Sequence, residues 1–335
     1  MKGLIPRYGE DHGFRAFPFL AVLLLFLSFS GGAAQERVSI LFYNTENFFD
    51  TRDDPLTLDD AFTPSGEKHW TFGRFRTKAG HLYKLFLAAG EEGGGLAPPP
   101  LIGLAEVENG EVLHYLLRET PFAYFGYRAV HADSPDRRGI DVALLYDPRR
   151  VEVLAWRALP VYMAGDTSFR TRDILWVRVV VRRDTLSLFV CHWPSRYGGV
   201  MASEPRRLAA AAVLAAALDT LPDENTVVMG DLNEEAGDAA VRRLTDPSRS
   251  RPLVAVCGST GKKNEGTILY DGRWWWFDHF LVGRALVGHV EACRVMRRSF
   301  LFDPAHPERP WRTYAGPVYL GGFSDHLPVL LWLRL

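Results

Sequence analysis

The sequence predicts an α/β fold with a sheet-on-sheet core and helices outside. Three observations lead there. Short apolar runs of strand length recur from residue 38 to the C-terminus, and helix-patterned segments fall between some of them. Two of the runs, 174–181 and 186–193, are joined only by "RRDT", a hairpin spacing that argues against an all-parallel sheet.

Taken in order, the strand-like runs are "VSILFYN" (38–44), "LIGLAEV" (101–107), "DVALLYD" (141–147), "ILWVRVVV" (174–181), "LSLFVCHW" (186–193), "TVVMGDLN" (226–233), "FDHFLV" (277–282) and "HLPVLLWLRL" (326–335). Helices are expected in "TKAGHLYKLFLAAG" (77–90), in "NGEVLHYLLRE" (109–119) and in "SEPRRLAAAAVLAAALDTL" (203–221). In the last of these Ser203 can cap and Pro205 falls in the first turn. The glycine- and proline-rich stretch at 90–100 reads as a surface loop rather than a linker, because a strand resumes at once. The polar segment 50–77, rich in Asp, Arg and Lys, is long for an idle loop. No internal repeat is visible, so residues 35–335 read as a single domain.

Composition bounds the function. Hydrophobic residues make up 47% of the 335-residue chain and charged residues 24%, with a formal net charge of −1. That is enough apolar material for a sizeable core, and too balanced a charge for a disordered chain or for holding nucleic acid by bulk positive charge. Any anionic substrate must be attracted by local arginines and bound cations. At the N-terminus, Arg15, an apolar run from Phe17 to Phe29 and the small residues Gly32, Ala33 and Ala34 have the layout of a secretory signal peptide over residues 1–34. Export to the periplasm or the medium follows, with an uncleaved membrane anchor as the alternative and no transmembrane segment after removal. Three cysteines, Cys191, Cys257 and Cys293, allow one bridge and one leftover thiol without revealing the pair. No stable protein partner is inferred.

The polar residues of interest share a position, because each lies at the end of an apolar run. Asn44 and Glu46 follow "SILFY", Glu106 and Glu108 follow "LIGLA", His192 follows "LFVC", and Asp231 and Asn233 follow "TVVMG". Asp278 and His279 follow "WWWF", and Asp325 and His326 precede the final run after Gly321 and Gly322. Strand ends at one sheet edge are where a rigid scaffold presents groups to a cleft. Any one of these residues alone could be a turn or cap. Together they supply carboxylates, amides and imidazoles, with no serine elbow of the GxSxG kind. Oxygen-rich sets of this sort suit hard divalent cations such as Mg²⁺ or Mn²⁺, and histidines beside carboxylates suit proton transfer.

The ordered motifs "FYNTEN", "GLAEVEN", "GIDVALLY", "CHWPSR", "MGDLNEE", "WFDHFLV" and "SDHLPV" resemble the endonuclease/exonuclease/phosphatase superfamily, from about residue 38 to 335. The resemblance implies a four-layered α/β sandwich, two mixed β-sheets packed face to face with helices outside. It also implies metal-dependent hydrolysis of phosphate esters by water. Matched residue by residue, it makes Glu106 the principal metal ligand, with Asn44 nearby and Asp325 as a further ligand or as the group orienting the water. Asp231 and Asn233 would position water and phosphate. His326 would be oriented by Asp278, and His192 would be a second histidine protonating the leaving oxygen. Asp141 is the expected carboxylate partner of His192, or else only a cap on its strand.

Substrate is less legible. Candidate phosphate contacts are Arg138 and Arg196 foremost, with Arg137, Arg170, Arg172, Arg74 and Arg76 behind them, since arginine clamps phosphate bidentately. Trp193 and Tyr197 could stack on a base or serve the core or rim. "RWWWFDH" (273–279) most simply packs at the sandwich edge, unless a solvent-facing tryptophan touches lipid. The first reading is a metal-dependent endonuclease with nucleic acid as substrate. The alternatives are a phosphatase or phospholipase C acting on inositol phosphates or sphingomyelin, and a non-catalytic binding module.

Overall fold

A computed structural model describes residues 37–220, 225–258 and 265–335; the predicted signal peptide, residues 1–34, lies outside the described residues. The first half of the chain runs β1 (Arg37–Phe48), α1 (Phe72–Glu92), β2 (Leu101–Val107), α2 (Gly110–Arg118), β3 (Arg128–His131), β4 (Asp141–Tyr146), β5 (Val151–Leu159) and β6 (Ile174–Val181). The second half begins with β7 (Asp184–His192), α3 (Val200–Thr220), β8 (Thr226–Asp231), α4 (Ala239–Thr245), β9 (Leu253–Ala255) and the ribbon β10 (Ile268–Tyr270) with β11 (Arg273–Trp275). It ends with β12 (Asp278–Gly283), β13 (Val290–Val295), a second ribbon of β14 (Tyr314–Ala315) and β15 (Val318–Tyr319), and β16 (Val329–Arg334).

Two six-stranded sheets result, in the orders β13-β16-β1-β2-β4-β3 and β5-β6-β7-β8-β12-β9. Period-two side-chain alternation builds the layers. Ile40 and Phe42 of β1 face Leu188 and Val190 of β7 and Met229 of β8 in a core between the sheets. Leu41 and Tyr43 point the other way, onto Leu82 and Phe86 of α1 and Leu116 of α2. On the far side, Phe189 and Cys191 of β7 meet Ala211 and Leu214 of α3 and Val241 of α4. This is the expected four-layered sandwich. Gly103 lets the sheets close here, since a Cβ at that position would lie 2.6 Å from Met229 Sδ.

Each sheet is mixed for one reason. A single parallel pair, β1–β2 in the first sheet and β7–β8 in the second, sits among antiparallel neighbours. A parallel pair needs a crossover, and α1 and α3 supply the two. Parallel pairing brings the C-terminal ends of both strands to the same edge, which is where their polar residues gather.

Several boundaries depart from the sequence reading. Helix α3 begins at Val200, not at Ser203. Ser203 is inside the helix and donates its hydroxyl to Gly199 O, 2.7 Å away, so it does not cap. Pro205 therefore leaves the carbonyl of Met201 without a helical donor, and that residue is exposed to water. Within segment 50–77, α1 already begins at Phe72, and Trp70 is buried with its indole N–H donating to Phe49 O at 2.9 Å. The last strand begins at Val329 rather than at His326. The edge strands β5 and β13 carry charged and half-exposed residues and gave no apolar run to read.

Cys257 and Cys293 form a disulfide, and Cys191 is a buried thiol. Cys257 follows β9 at one edge of the second sheet, and Cys293 lies in β13 at one edge of the first, so the bridge staples the two sheets together. Replacing both with serine should lower stability by about 2–4 kcal/mol, read as a lower urea midpoint. A reductant should produce the same shift in the parent chain and none in the double variant. If the parent midpoint ignores reductant, the bridge contributes nothing to the fold.

Candidate active site

The C-terminal ends of β1, β2, β7 and β8 converge on one edge of the sandwich. Two interlocked irregularities shape it. Strand pairing slips between Asn44 and Phe48 in β1 and between Ala105 and Val107 in β2, and the Thr45 hydroxyl contacts both Ala105 O (2.8 Å) and Glu106 O (2.9 Å) across the slip. Such bulges re-aim side chains at sheet rims. Glu46 (φ 54°), Asn47 (φ 59°), Glu106 (φ 61°) and, on the second sheet, Asn233 (φ 50°) all take left-handed backbone, which is costly for residues other than glycine. Glu106 thereby turns its carboxylate into the cleft, where Oε2 accepts from Asn47 N at 2.9 Å.

The floor is made by Asn44 and Asp231. The Asn44 amide donates to Asp231 Oδ2 at 3.1 Å, and Asp231 Oδ1 accepts from Asn233 N at 3.0 Å. Asn233 in turn donates its amide to Trp193 O at 3.1 Å. Two histidines flank Asp231: His192 Nε2 and His326 Nε2 each lie 3.7 Å from Oδ2. His192 Nε2 is also 3.9 Å from Glu106 Oε1. His326 Nδ1 is 2.7 Å from Asp278 Oδ2, and its backbone N–H donates to Ser324 Oγ, whose hydroxyl donates to Asn44 O. Asp278 N donates to the Thr267 hydroxyl at 3.1 Å. The structure thus brings together Asn44, Glu106, His192, Asp231, Asn233, Asp278 and His326.

Asp325 sits at the rim. Its Oδ2 accepts from Arg312 at 3.0 Å, and the same guanidinium donates to Glu46 Oε1 at 3.2 Å. Glu46 and Arg312, neither given a role by the sequence reading, are therefore part of the same array. So is Lys78, buried on α1, whose ammonium donates to Thr313 Oγ1 and Phe323 O at 2.6 Å each. Glu46 lies in a motif the sequence showed, but only position in space reveals the other two, because Arg312 lies in a loop with no motif and Lys78 within a helix.

Two expectations are corrected, and one left open is decided. Asp141 does not partner His192; its Oδ1 accepts from the Ser134 backbone at 2.9 Å and from the Ser134 hydroxyl, and its Oδ2 faces His131 Nε2 at 3.4 Å across the β3–β4 hairpin. Arg196 is held by Asn233 O (2.8 Å) and Asp238 (2.6 Å) and covers the Phe277 ring, so it supports the site from behind. Trp193 is 1% exposed and belongs to the core, whereas Tyr197 is 88% exposed. Arg138 does reach the cleft, 3.3 Å from Glu106 Oε1. Of the "RWWWFDH" tryptophans, Trp276 is buried and Trp274 and Trp275 are half-buried.

The electrostatics divide the two imidazoles. Burial pushes His192 well below the ordinary 6.5, and the positive charges of Arg172, Arg138 and His326 push it the same way. Burial acts likewise on His326, but the carboxylates of Asp278 and Asp231 outweigh it and hold His326 well above 6.5. Burial raises Asp231 to about 7, against the opposing pull of His326. The two imidazoles are thus biased in opposite directions, His326 toward its charged form and His192 toward its neutral one.

The donor set fits a hard divalent cation. Among the described residues Glu106 Oε1 accepts one hydrogen bond, the long one from Arg138, and Asp278 Oδ1 is buried with no hydrogen-bond partner. Ligand atoms of Asp231, Asp278 and His326 lie within 4.8 Å of one another, a cluster that shares the site with Glu106 but is distinct from the Glu106, Asn44 and Asp325 set that the sequence assigns to the metal. Oxygen donors predominate, as magnesium and manganese require.

The sequence matches the family model described as the endonuclease/exonuclease/phosphatase family over residues 39–335. No curated protein sequence matches the chain. Similar solved structures include an endonuclease/exonuclease/phosphatase from Bacteroides vulgatus, at 15% identity and TM-score 0.58, covering 90% of this chain and 99% of that one. A mannosyl-6-phosphatase of Bacteroides thetaiotaomicron aligns at 14% identity and TM-score 0.56, over 88% of this chain and 98% of that one. D. rerio TDP2, complexed with a single-strand DNA product, aligns at 14% identity and TM-score 0.55, over 89% and 99%. At these identities the likeness is one of fold.

The Asp278–His326 pair makes a measurable prediction. Nuclear magnetic resonance titration of the metal-free chain should place the His326 midpoint above 6.5, and Asp278→Asn should lower it by roughly 1–3 pH units. Because the folded value lies above the unfolded one, the pair stabilises the fold fully below about pH 6.5, and that contribution fades as pH rises through the raised midpoint. An unshifted midpoint in the variant would remove Asp278 as the cause.

Proposed function

The chain belongs to the endonuclease/exonuclease/phosphatase family, hydrolases of phosphate esters, and from that premise we propose that it is a divalent-metal-dependent phosphodiesterase acting on nucleic acid within the chain, an endonuclease. The observation that carries the reading is the His326–Asp278 pair facing Asp231, with Glu106 and His192 at neighbouring strand ends of the same edge. Glu106, Asn44 and Asp325 would hold Mg²⁺ or Mn²⁺, which when bound neutralises phosphate charge and stabilises the charge that grows in the transition state.

The protein's own groups do the rest. Asp231, fixed by Asn44 and by the Asn233 backbone, orients the attacking water and accepts its hydrogen bond. Asn233 helps to place the phosphate. Asp278 fixes the His326 tautomer with Nδ1 protonated, leaving Nε2 toward the phosphate or the water. His192, held on β7, lies beside Glu106 and Asp231 and serves proton transfer at the leaving oxygen. Arg138, 3.3 Å from Glu106 Oε1, would meet the phosphate oxygens.

TDP2 with its single-strand DNA product supports a nucleic-acid substrate, and the mannosyl-6-phosphatase supports the monoesterase alternative. Export, the location proposed for the mature chain, is supported by the Cys257–Cys293 bridge. Among the described residues no helix is long and apolar enough to cross a membrane.

Supercoiled plasmid, RNA, mannose 6-phosphate, an inositol polyphosphate and sphingomyelin vesicles should be offered in parallel with Mg²⁺ or Mn²⁺. Plasmid nicking is expected, abolished by EDTA and lowered at least about 10²-fold in kcat by Glu106→Gln or His326→Ala. Release of phosphate from a monoester with nucleic acids left intact would replace the endonuclease by a phosphatase.

A further inference from the structure

Beside the catalytic edge lies a cavity of about 410 Å³ whose walls carry Arg138, Arg170, Arg172 and Arg206 together with Phe169 and Tyr197, and no carboxylate among the described residues. Its four cations are not equivalent. Arg172 is buried and spent internally, pairing with Asp136 at 2.9 Å and donating to the carbonyls of His192 and Trp193. Arg138 faces Glu106 and joins the cavity to the reaction centre. Arg170 donates to the backbone carbonyls of Thr167 and Phe169, and Arg206 is exposed on α3 without an ion pair among the described residues. Arg170 and Arg206 are thus the charges left to meet a ligand. Tyr197, 88% exposed, stands at the same mouth on the turn formed by Gly198 (φ 85°) and Gly199 (φ 106°).

The opposite side of Arg170 is a contrast. There a cavity of about 520 Å³ is lined by five carboxylates, Asp54, Glu108, Asp133, Asp136 and Asp141, against two arginines, Arg137 and Arg170 itself. Carboxylates outnumber arginines there, whereas the first cavity carries arginines alone, so an extended polyanion crossing the reaction centre is favoured on the Arg206 side. Arginine beside exposed aromatic rings is the pairing that follows a single-stranded backbone and stacks its bases.

We infer that the Arg170–Arg206–Tyr197 cavity is a subsite for a neighbouring phosphate and base of a single-stranded polynucleotide, so that the preferred substrate carries a second phosphate on this side of the scissile one. The inference rests on the phosphodiesterase reading and names the substrate that the reading leaves open. The same second phosphate could come from an inositol polyphosphate, in which Tyr197 would have nothing to stack on.

Binding of a fluorescein-labelled dT octamer and of inositol hexakisphosphate to the full mature chain, measured in EDTA over a range of salt, separates these cases. Arg170→Gln and Arg206→Gln should each reduce the slope of log K against log salt for the octamer by about 0.7, the value for one lost phosphate contact on a single strand. Tyr197→Ser should weaken octamer binding about tenfold with the slope unchanged, and should leave inositol hexakisphosphate binding alone. Slopes unmoved by both arginine variants would overturn the subsite. Loss of inositol hexakisphosphate binding alone, with the octamer unaffected, would overturn the polynucleotide. Turnover of bis(p-nitrophenyl) phosphate with Mg²⁺ or Mn²⁺ tests the underlying reading separately: its absence sinks the phosphodiesterase, whereas the salt slopes judge the subsite either way.

Discussion

The site depends on one buried hydrogen bond, from the Asn44 amide at the end of β1 to the Asp231 carboxylate at the end of β8. These strands belong to different sheets, whose facing surfaces are joined mainly by apolar side chains, with the Cys257–Cys293 bridge at one edge and the His326–Asp278 contact at the site. Apolar packing sets how far apart the sheets stand but is tolerant of small slides. A hydrogen bond is not, because it weakens steeply with misalignment. By fixing the two rims relative to each other, Asn44 determines where Asp231 stands between His192 and His326. It also holds, through its own carbonyl and Ser324, the loop that delivers Asp325 and His326. The second sheet contributes Asp278 through antiparallel pairing directly opposite Asp231.

A net charge of −1 conceals strong local segregation. Three carboxylates, Glu46, Glu106 and Asp325, feel the same Arg312 and Lys78. Burial drives Glu46 up to about 7 and Lys78 down to about 8, each tempered by the other's charge. Desolvation is thus a cost shared across the rim and offset by pairing, which a surface site would not need. Behind it, Arg207 and Glu234 form a further buried pair that ties α3 to the loop after β8.

Much of this was legible because most of the functional residues come directly after an apolar run, at or near the C-terminal end of a strand. Asn44, Glu106, His192 and Asp231 could be found that way, and parallel pairing then puts them on one edge. The readings that failed needed information from across the fold. Asp141 was given the wrong histidine because its true neighbour, His131, lies on β3, a strand too short and too exposed to register as one. Ser203 looked like a cap because it precedes the apolar stretch, while the helix starts a turn earlier on "VMA". Arg196 looked available because nothing local neutralises it; Asp238 does so from 42 residues away. The Cys257–Cys293 pairing is a property of which sheet edges meet, and no spacing encodes it.

The left-handed glutamates at the two bulges carry a consequence for how such a chain evolves. Holding Glu46 and Glu106 at positive φ costs roughly 1–3 kcal/mol each, a cost that glycine would relieve at the loss of a carboxylate. Folding and chemistry therefore pull these two codons in opposite directions. A lineage released from the need to hydrolyse would drift toward glycine there and gain thermal tolerance as it did so. Retention of glutamate at both bulges would then identify, among distant copies of this sandwich, those still under selection for turnover.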